Sequence, residues 1–130
     1  MQDEPTPPEV LAAVAALLRE TVMPQLSGHT AFLVRVAANA LDLVRRQVEL
    51  EPAADGAELA RLQALLARNG DLLELNQALC AAIEAGAVTL QTPGLAEHLW
   101  ATTLEKLAID QPGYGPYVRA APGVRLSPSV

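Results

Sequence analysis

The sequence predicts an all-α protein, an up-and-down bundle of five helices followed by an irregular C-terminal tail. Hydrophobic residues make up 51% of the 130 residues but aromatic residues only 3%. A core of Leu, Ala and Val suits close-packed helices better than a sheet, whose strands favour β-branched and aromatic residues. Apolar residues also recur at helical spacing in five consecutive segments. The short connections between these segments favour antiparallel neighbours.

The first helix is predicted at residues 8–23. Thr6 supplies a capping hydroxyl, Pro7 and Pro8 occupy the first turn, and Glu9 lies near the positive end of the helix dipole. Pro24 is expected to stop this helix.

The second helix, predicted at residues 28–50 and ending before Pro52, organises the rest of the bundle. On a helical projection one narrow stripe is polar and almost all other positions are apolar. The stripe consists of Arg35, Asn39, Asp42, Arg46 and Glu49. A surface helix needs an apolar face of only a little over ~100°, so this helix is expected to contact several neighbours.

Three further helices are predicted at residues 55–69, 71–86 and 93–110. Gly70 should stop the third, Asp71 should cap the fourth and Gly86 should close it. In the fourth helix Asn76 interrupts the apolar face and should hydrogen-bond a neighbouring helix, while Cys80 is expected to be a small core residue.

The fifth helix is launched by Thr92 and Pro93. Its predicted inner face is Ala96, Trp100, Leu104 and Leu107, and His98 is expected to be exposed on the other side.

The segment from Gln111 onward contains four prolines, three glycines and both tyrosines. Such a density of helix breakers predicts no regular element. The expected organisation is therefore a helical bundle domain over residues 1–110 and an irregular tail over residues 111–130.

The composition argues against several classes of function and location. A net charge of −6 disfavours nucleic acid and anionic membrane surfaces, which attract basic proteins. The single cysteine, Cys80, permits no internal disulfide, and no apolar run approaches the ~20 residues of a membrane span. The acidic N-terminus does not resemble a signal peptide, so a cytoplasmic location is expected.

The inventory of reactive side chains predicts no catalytic residue, no metal site and no cofactor. The two histidines, His29 and His98, lie 69 positions apart, and there is no second cysteine to complete a zinc site. Glycine-rich phosphate loops and the Gly-x-Ser-x-Gly elbow of hydrolases do not occur. Catalysis with His29 as an acid or base is the least favoured hypothesis.

Arg35 and Asn39 lie four residues apart on the polar stripe and leave three interpretations open. They are a solvated surface with helix ion pairs, a groove that binds a carboxylate or phosphate with His29 close by, or part of an interface. Tyr114 and Tyr117 are equally open: two amphipathic rings suit an interface, but a tail folded back on its own helices explains them as well.

Two stretches resemble an uncharacterised bacterial family of small helical domains of unknown function, and the likeness extends from the first helix to Tyr114. The first stretch has a Gly-His start followed by Arg-Val-Ala-x-Asn, here Gly28, His29, Arg35, Val36, Ala37 and Asn39. The second is Lys-Leu-Ala-x-Asp before a Pro and a Tyr, here Lys106, Leu107, Ala108, Asp110, Pro112 and Tyr114.

The resemblance implies a metabolic context, because members of that family are typically encoded beside aminoglycoside-phosphotransferase-like kinases and acyl-CoA dehydrogenases. It implies an accessory role in acyl-CoA catabolism. Our leading hypothesis is a non-catalytic module that docks on one of these proteins, alone or as a homodimer, through the tail with Tyr114 and Tyr117 and part of a helix face. The alternative is a small-molecule binding protein that holds an acyl-CoA or a phosphorylated acyl compound at Arg35 and Asn39.

Overall fold

The structure, a computed structural model, describes residues 3–121, and this part of the chain contains helices and no strand. Five α-helices follow one another: α1 Pro7–Leu17, α2 Gly28–Leu66, α3 Leu72–Glu84, α4 Leu95–Asp110 and α5 Gly115–Ala120. A short π-helix, Leu18–Val22, and a 3-10 turn, Met23–Gln25, continue α1. The all-α prediction is confirmed.

The helices predicted at 28–50 and 55–69 are one continuous helix of 39 residues that includes Pro52. Proline lacks an N–H group, so the only intrahelical bond that it must forfeit is its own bond to the carbonyl of Val48. The residues on both sides are mainly Glu, Leu and Ala, which favour helix. Their propensity outweighs the one break, and the prediction that α2 ends before Pro52 was wrong.

The chain forms two compact units, Met1–Glu51 and Pro52–Val130, with the boundary inside α2. The division into a bundle over 1–110 and a tail over 111–130 stays a prediction.

In the first unit, α1 and its continuation to Gln25 pack on the first half of α2 through small side chains and one arginine. Ala15 and Ala38 are fully buried. Arg19 donates hydrogen bonds to Asn39 Oδ1 at 2.9 Å and to Asp42 Oδ2 at 2.6 Å. At the start of α1 the Glu9 carboxylate accepts from the backbone N–H and the hydroxyl of Thr6.

The second unit has a leucine core made by α2, α3 and α4. Its buried members are Leu62, Leu75, Leu79 and Leu95. Asp71 caps α3 as predicted, because its side chain accepts from the Glu74 N–H while Glu74 accepts from the Asp71 N–H. Helix α2 stops at Leu66, earlier than the predicted Gly70, and Ala67 adopts a positive φ of 50°.

The N-terminus of α4 depends on a glycine. Gly94 is the N-cap with a φ of 90°, a conformation that side chains other than glycine rarely adopt. The helix therefore begins at Leu95, two residues after the predicted start.

The buried face of α4 differs from the predicted one. Leu95 and His98 are buried, whereas Trp100 is 58% exposed and Ala96 is exposed. The sequence analysis predicted that the polar side of α4 faces solvent. In the structure Arg61 of α2 hydrogen-bonds Thr102 and Glu105 on that side. Cys80, predicted to lie in the core, is likewise exposed, because Leu75 and Leu79 set the buried face of α3.

The tail holds a regular element despite its prolines. Helix α5 begins with Gly115 and Pro116 in its first turn, where a proline costs no hydrogen bond. The expectation of no regular element from Gln111 onward is corrected for residues 115–120, and residues 122–130 lie outside the described residues. No described helix combines the length and the apolar character that crossing a membrane requires.

Candidate functional site

An apolar groove of about 160 Å³ separates α4 from α5 in the second unit. Its walls are aromatic and aliphatic side chains with one threonine: Trp100, Thr103, Leu104, Leu107, Tyr114, Pro116, Tyr117 and Ala120. We call this the α4–α5 groove.

The groove exists because the chain turns back on α4 after Asp110. The Tyr114 N–H donates to the Gln111 carbonyl at 3.0 Å, and the Tyr114 carbonyl accepts from the Val118 N–H at 3.0 Å. This places Tyr117 against α4 with only 6% of its surface exposed. Tyr114 remains 48% exposed, so the two tyrosines of the sequence analysis have different roles.

The chemistry of the α4–α5 groove is apolar. The only side-chain hydroxyl of its α4 wall, on Thr103, donates to the Leu99 carbonyl at 2.7 Å and is already satisfied. Trp100 and Tyr114 leave about half of their surfaces open to solvent. This arrangement suits an apolar or aromatic side chain from another molecule.

A second feature of the same unit is an ion pair that joins α2 to α4. Arg61 donates to both carboxylate oxygens of Glu105, at 3.0 Å from Nη1 and 2.6 Å from Nη2, and Nη2 also reaches Thr102 Oγ1 at 3.3 Å. Each charged side chain is about one quarter exposed. The bidentate geometry requires that α4 turns Glu105 toward α2.

His98 lies beside this ion pair and is 3% exposed. Burial lowers the pKa of His98, and the positive charge of Arg61 lowers it further, against the opposing effects of Glu58 and Glu105. His98 Nδ1 and Arg61 Nε are buried and have no hydrogen-bond partner among residues 3–121. Both residues line a surface cavity of about 270 Å³ next to Pro93, Gly94 and Glu97.

Asn76 behaves as predicted. Its side-chain amide donates to Glu58 Oε1 on α2 at 2.7 Å and to the Leu72 carbonyl at 3.0 Å. Glu58 is 9% exposed, so this amide provides a hydrogen bond to a carboxylate that is largely removed from water.

The candidate ligand-binding residues of the first unit are not gathered around either cavity. Arg35 is exposed and forms no ion pair or hydrogen bond with any described residue, whereas Asn39 accepts from Arg19. His29 is exposed and stacks on Phe32, with ring centroids 6.2 Å apart. Asp42 pairs with Arg19 at 2.6 Å and approaches Arg45 at 3.9 Å.

Potential metal ligands are dispersed over the part of the chain that the structure describes. Within that range no three or more His, Cys, Asp or Glu side chains cluster in a way that would hold a metal ion.

The interaction of α2 with α4 was missed at the sequence level although a signal was present. Glu58 and Arg61 are three residues apart and precede the buried Leu62, and Thr102 and Glu105 are likewise three apart. An arginine and a glutamate beside the apolar faces of two helices that share a core indicate a partly buried ion pair.

Comparison with known proteins gives a family and no function. No curated protein matches the chain, and no solved structure matches it. The family described as "Domain of unknown function (DUF6285)" matches residues 24–114, which include α2, α3, α4 and the connection that leads to α5. The chain therefore belongs to the DUF6285 family of domains of unknown function.

Proposed function

We propose that this protein is a non-catalytic interaction module that binds a partner protein through the α4–α5 groove. The observation that carries the proposal is the position of Trp100 and Tyr114, which are 58% and 48% exposed beside an apolar groove. The partner is an aminoglycoside-phosphotransferase-like kinase or an acyl-CoA dehydrogenase, and the process is acyl-CoA catabolism.

Aromatic residues support this assignment for an energetic reason. Trp and Tyr contribute large contact areas with few rotatable bonds, and they dominate the energetic centres of protein interfaces. Two half-exposed aromatic rings next to a groove leave apolar surface in water that a partner would remove. The buried Tyr117 forms part of the groove wall and holds it in place before any partner arrives.

The partner class rests on the resemblance described in the sequence analysis, which associates this family with those two kinds of enzyme. An accessory protein needs no reactive centre of its own. The polar clusters around Arg61 and Asn76 agree with this role, because their hydrogen bonds join helices to each other.

The test is a binding titration by calorimetry between the purified full-length chain and each of the two partner enzymes. We expect Trp100→Ala and Tyr114→Ala to weaken binding by about tenfold or more, the range of an interface hot spot. Leu90→Ala is the matched control, because Leu90 is 71% exposed in the same unit and does not line the α4–α5 groove. Absence of binding to both enzymes, or equal loss in the Leu90 variant, would contradict the proposal.

A second candidate function is binding of an acyl-CoA or a phosphorylated acyl compound at Arg35 and Asn39. The observation that favours it is the exposed Arg35 guanidinium, which has no carboxylate partner among residues 3–121. Thermal-shift measurements with acyl-CoA esters and free CoA test this candidate. Stabilisation that disappears in Arg35→Ala supports it, and no shift with any of these ligands rejects it.

A further inference from the structure

Two residues that line the surface cavity beside His98 each have a buried polar atom without a partner. Arg61 Nε and His98 Nδ1 are removed from solvent, and neither forms a hydrogen bond within residues 3–121. His98 is 3% exposed, and Arg61 uses its other two nitrogens to bind Glu105 and Thr102. A buried polar group without a hydrogen bond is costly, so a ligand that supplies the missing partners would stabilise the protein.

The cavity has room for a molecule larger than water. Its volume is about 270 Å³, about nine times the ~30 Å³ that a water molecule occupies in the liquid. We call it the His98 cavity. It lies within the second unit and shares no residue with the α4–α5 groove.

The lining of the His98 cavity also includes an aliphatic wall. Ala64, Leu65 and Pro93 supply apolar surface, and the exposed Glu97 adds a carboxylate. A hydrocarbon segment of a ligand would displace water from the aliphatic wall. Small-molecule sites commonly combine such walls with a few polar groups that fix the orientation of the ligand. The lining therefore suits a molecule with a short hydrocarbon part and at least one polar group.

The charges around the His98 cavity favour a neutral ligand. Arg61 is already paired with Glu105 at 2.6 Å, and Glu97 adds a negative charge to the lining. Glu58 and Glu105 both act electrostatically on His98. These three carboxylates outnumber the one guanidinium, which disfavours an anion. A cation would be repelled by Arg61 and has no lone pair to accept from its Nε–H.

The two unpartnered atoms specify a hydroxyl as the polar group. Arg61 Nε can only donate a hydrogen bond. Burial and the charge of Arg61 lower the pKa of His98, so the imidazole is neutral at pH 7 and its Nδ1 is either a donor or an acceptor. A hydroxyl can accept from the Nε–H and can pair with Nδ1 in either form, whereas a carbonyl oxygen can only accept.

We propose that the His98 cavity binds a small neutral aliphatic alcohol or diol. The hydroxyl groups of the ligand hydrogen-bond Arg61 Nε and His98 Nδ1, and its hydrocarbon part contacts the aliphatic wall. This site is independent of the proposed function, because it involves neither the α4–α5 groove nor Arg35 and Asn39.

The experiment is an NMR titration of the full-length chain with millimolar 1,2-propanediol, followed through the imidazole nitrogen resonances. We expect the His98 Nδ1 resonance to shift along a saturable curve, because its hydrogen bonding changes. The exposed His29 is the internal control and should show no saturable shift. Propionate and propylamine, an anion and a cation of similar size, should bind at least about tenfold more weakly than the diol.

Ala64→Leu tests the location of the site. Ala64 lines the His98 cavity at an exposed position of α2, and a leucine there would fill part of the space. We expect this variant to raise the dissociation constant of the diol by about tenfold or more. Ala60→Leu is the matched control, because Ala60 is exposed one turn earlier on α2 and does not line the cavity. It should bind the diol as the wild-type protein does.

A measurement on the wild-type protein keeps the test decisive if Ala64→Leu fails to fold, as judged by circular dichroism. Nuclear Overhauser effects should connect the diol to the methyl groups of Ala64 and Leu65, and their absence would contradict the site. Absence of a saturable His98 shift would show a hydration site only and would overturn the proposal. It is also overturned if propionate or propylamine binds more tightly than the diol, if a folded Ala64→Leu variant binds normally, or if Ala60→Leu abolishes binding.

Discussion

Arg61 of α2 donates to both carboxylate oxygens of Glu105 on α4, through two hydrogen bonds of 3.0 and 2.6 Å. The rotation of α4 that faces Glu105 toward Arg61 also buries His98 beside the pair and leaves Trp100 on the outside. The ion pair and the exposed aromatic surface are therefore two results of the same helix rotation.

Removing the Glu105 charge should destabilise the second unit. We expect Glu105→Gln to lower the free energy of unfolding by ~1–2 kcal/mol, because Arg61 loses two charge-assisted bonds in a partly buried site. Glu49→Gln, which breaks an exposed pair with Arg45 four residues away, should cost no more than ~0.5 kcal/mol. Urea unfolding of both variants measures the difference, and equal costs would show that the α2–α4 pair contributes no more than a surface pair.

Acidification should destabilise the fold through His98. The pKa of His98 in the folded state is below its ordinary value of 6.5, so below that pH the unfolded chain takes up a proton that the folded protein resists. Stability is complete above pH 6.5 and declines as the pH falls toward the folded pKa.

The melting temperature, followed by circular dichroism between about pH 7 and 5, measures this effect. The dependence on pH should be smaller in His98→Gln and unchanged in His29→Gln, because His29 is exposed. A wild-type profile that His98→Gln leaves unaltered would contradict the assignment.

Asn76→Ala should cost ~1–3 kcal/mol, because Glu58 would lose a donor while only 9% exposed. Gln77→Ala, at an exposed position on the same helix, should change stability by no more than ~0.5 kcal/mol. Glu58→Gln in the Asn76→Ala background should recover part of the loss, since a neutral amide costs less to bury than a carboxylate. A chemical denaturation series on the four proteins checks all three expectations.

Substitution of Tyr117 should lower the stability of the fold, whereas substitution of Tyr114 should affect binding and leave stability nearly unchanged. Tyr117→Ala is expected to cost ~2–3 kcal/mol by removing the ring that packs α5 on α4, while Tyr114→Ala should lie within ~0.5 kcal/mol of wild type. Thermal melts of the two variants give the comparison. If Tyr114→Ala is the less stable variant, the structure of the α4–α5 groove is not as described.

The sequence predicts well what depends on local chemistry. Asp71 and Asn76 are recognisable because capping and amide burial follow from residue type and spacing alone. The continuity of α2 through Pro52 and the inward rotation of α4 were not predictable in this way. The first depends on the balance between one lost hydrogen bond and the propensity of a long flanking segment, and the second on a partner for Glu105 that lies 44 positions earlier.

The candidate site shows the same division. Tyr114 and Tyr117 could be identified as amphipathic rings in the tail, but their different exposure follows from where α5 begins. Arg61 was not identified and His98 was wrongly predicted to be exposed, because the surroundings of each depend on residues of the facing helix.

Pro52 lies at the boundary of the two units and deprives α2 of one backbone hydrogen bond there. Opening the helix at that turn breaks fewer bonds than opening it elsewhere, so the loss of structure in one unit need not spread to the other. Trp100, the only tryptophan, lies in the second unit, whereas circular dichroism records helices in both. Denaturation followed by fluorescence and by circular dichroism should therefore give two curves with different midpoints, the signature of a chain that does not unfold in a single cooperative step.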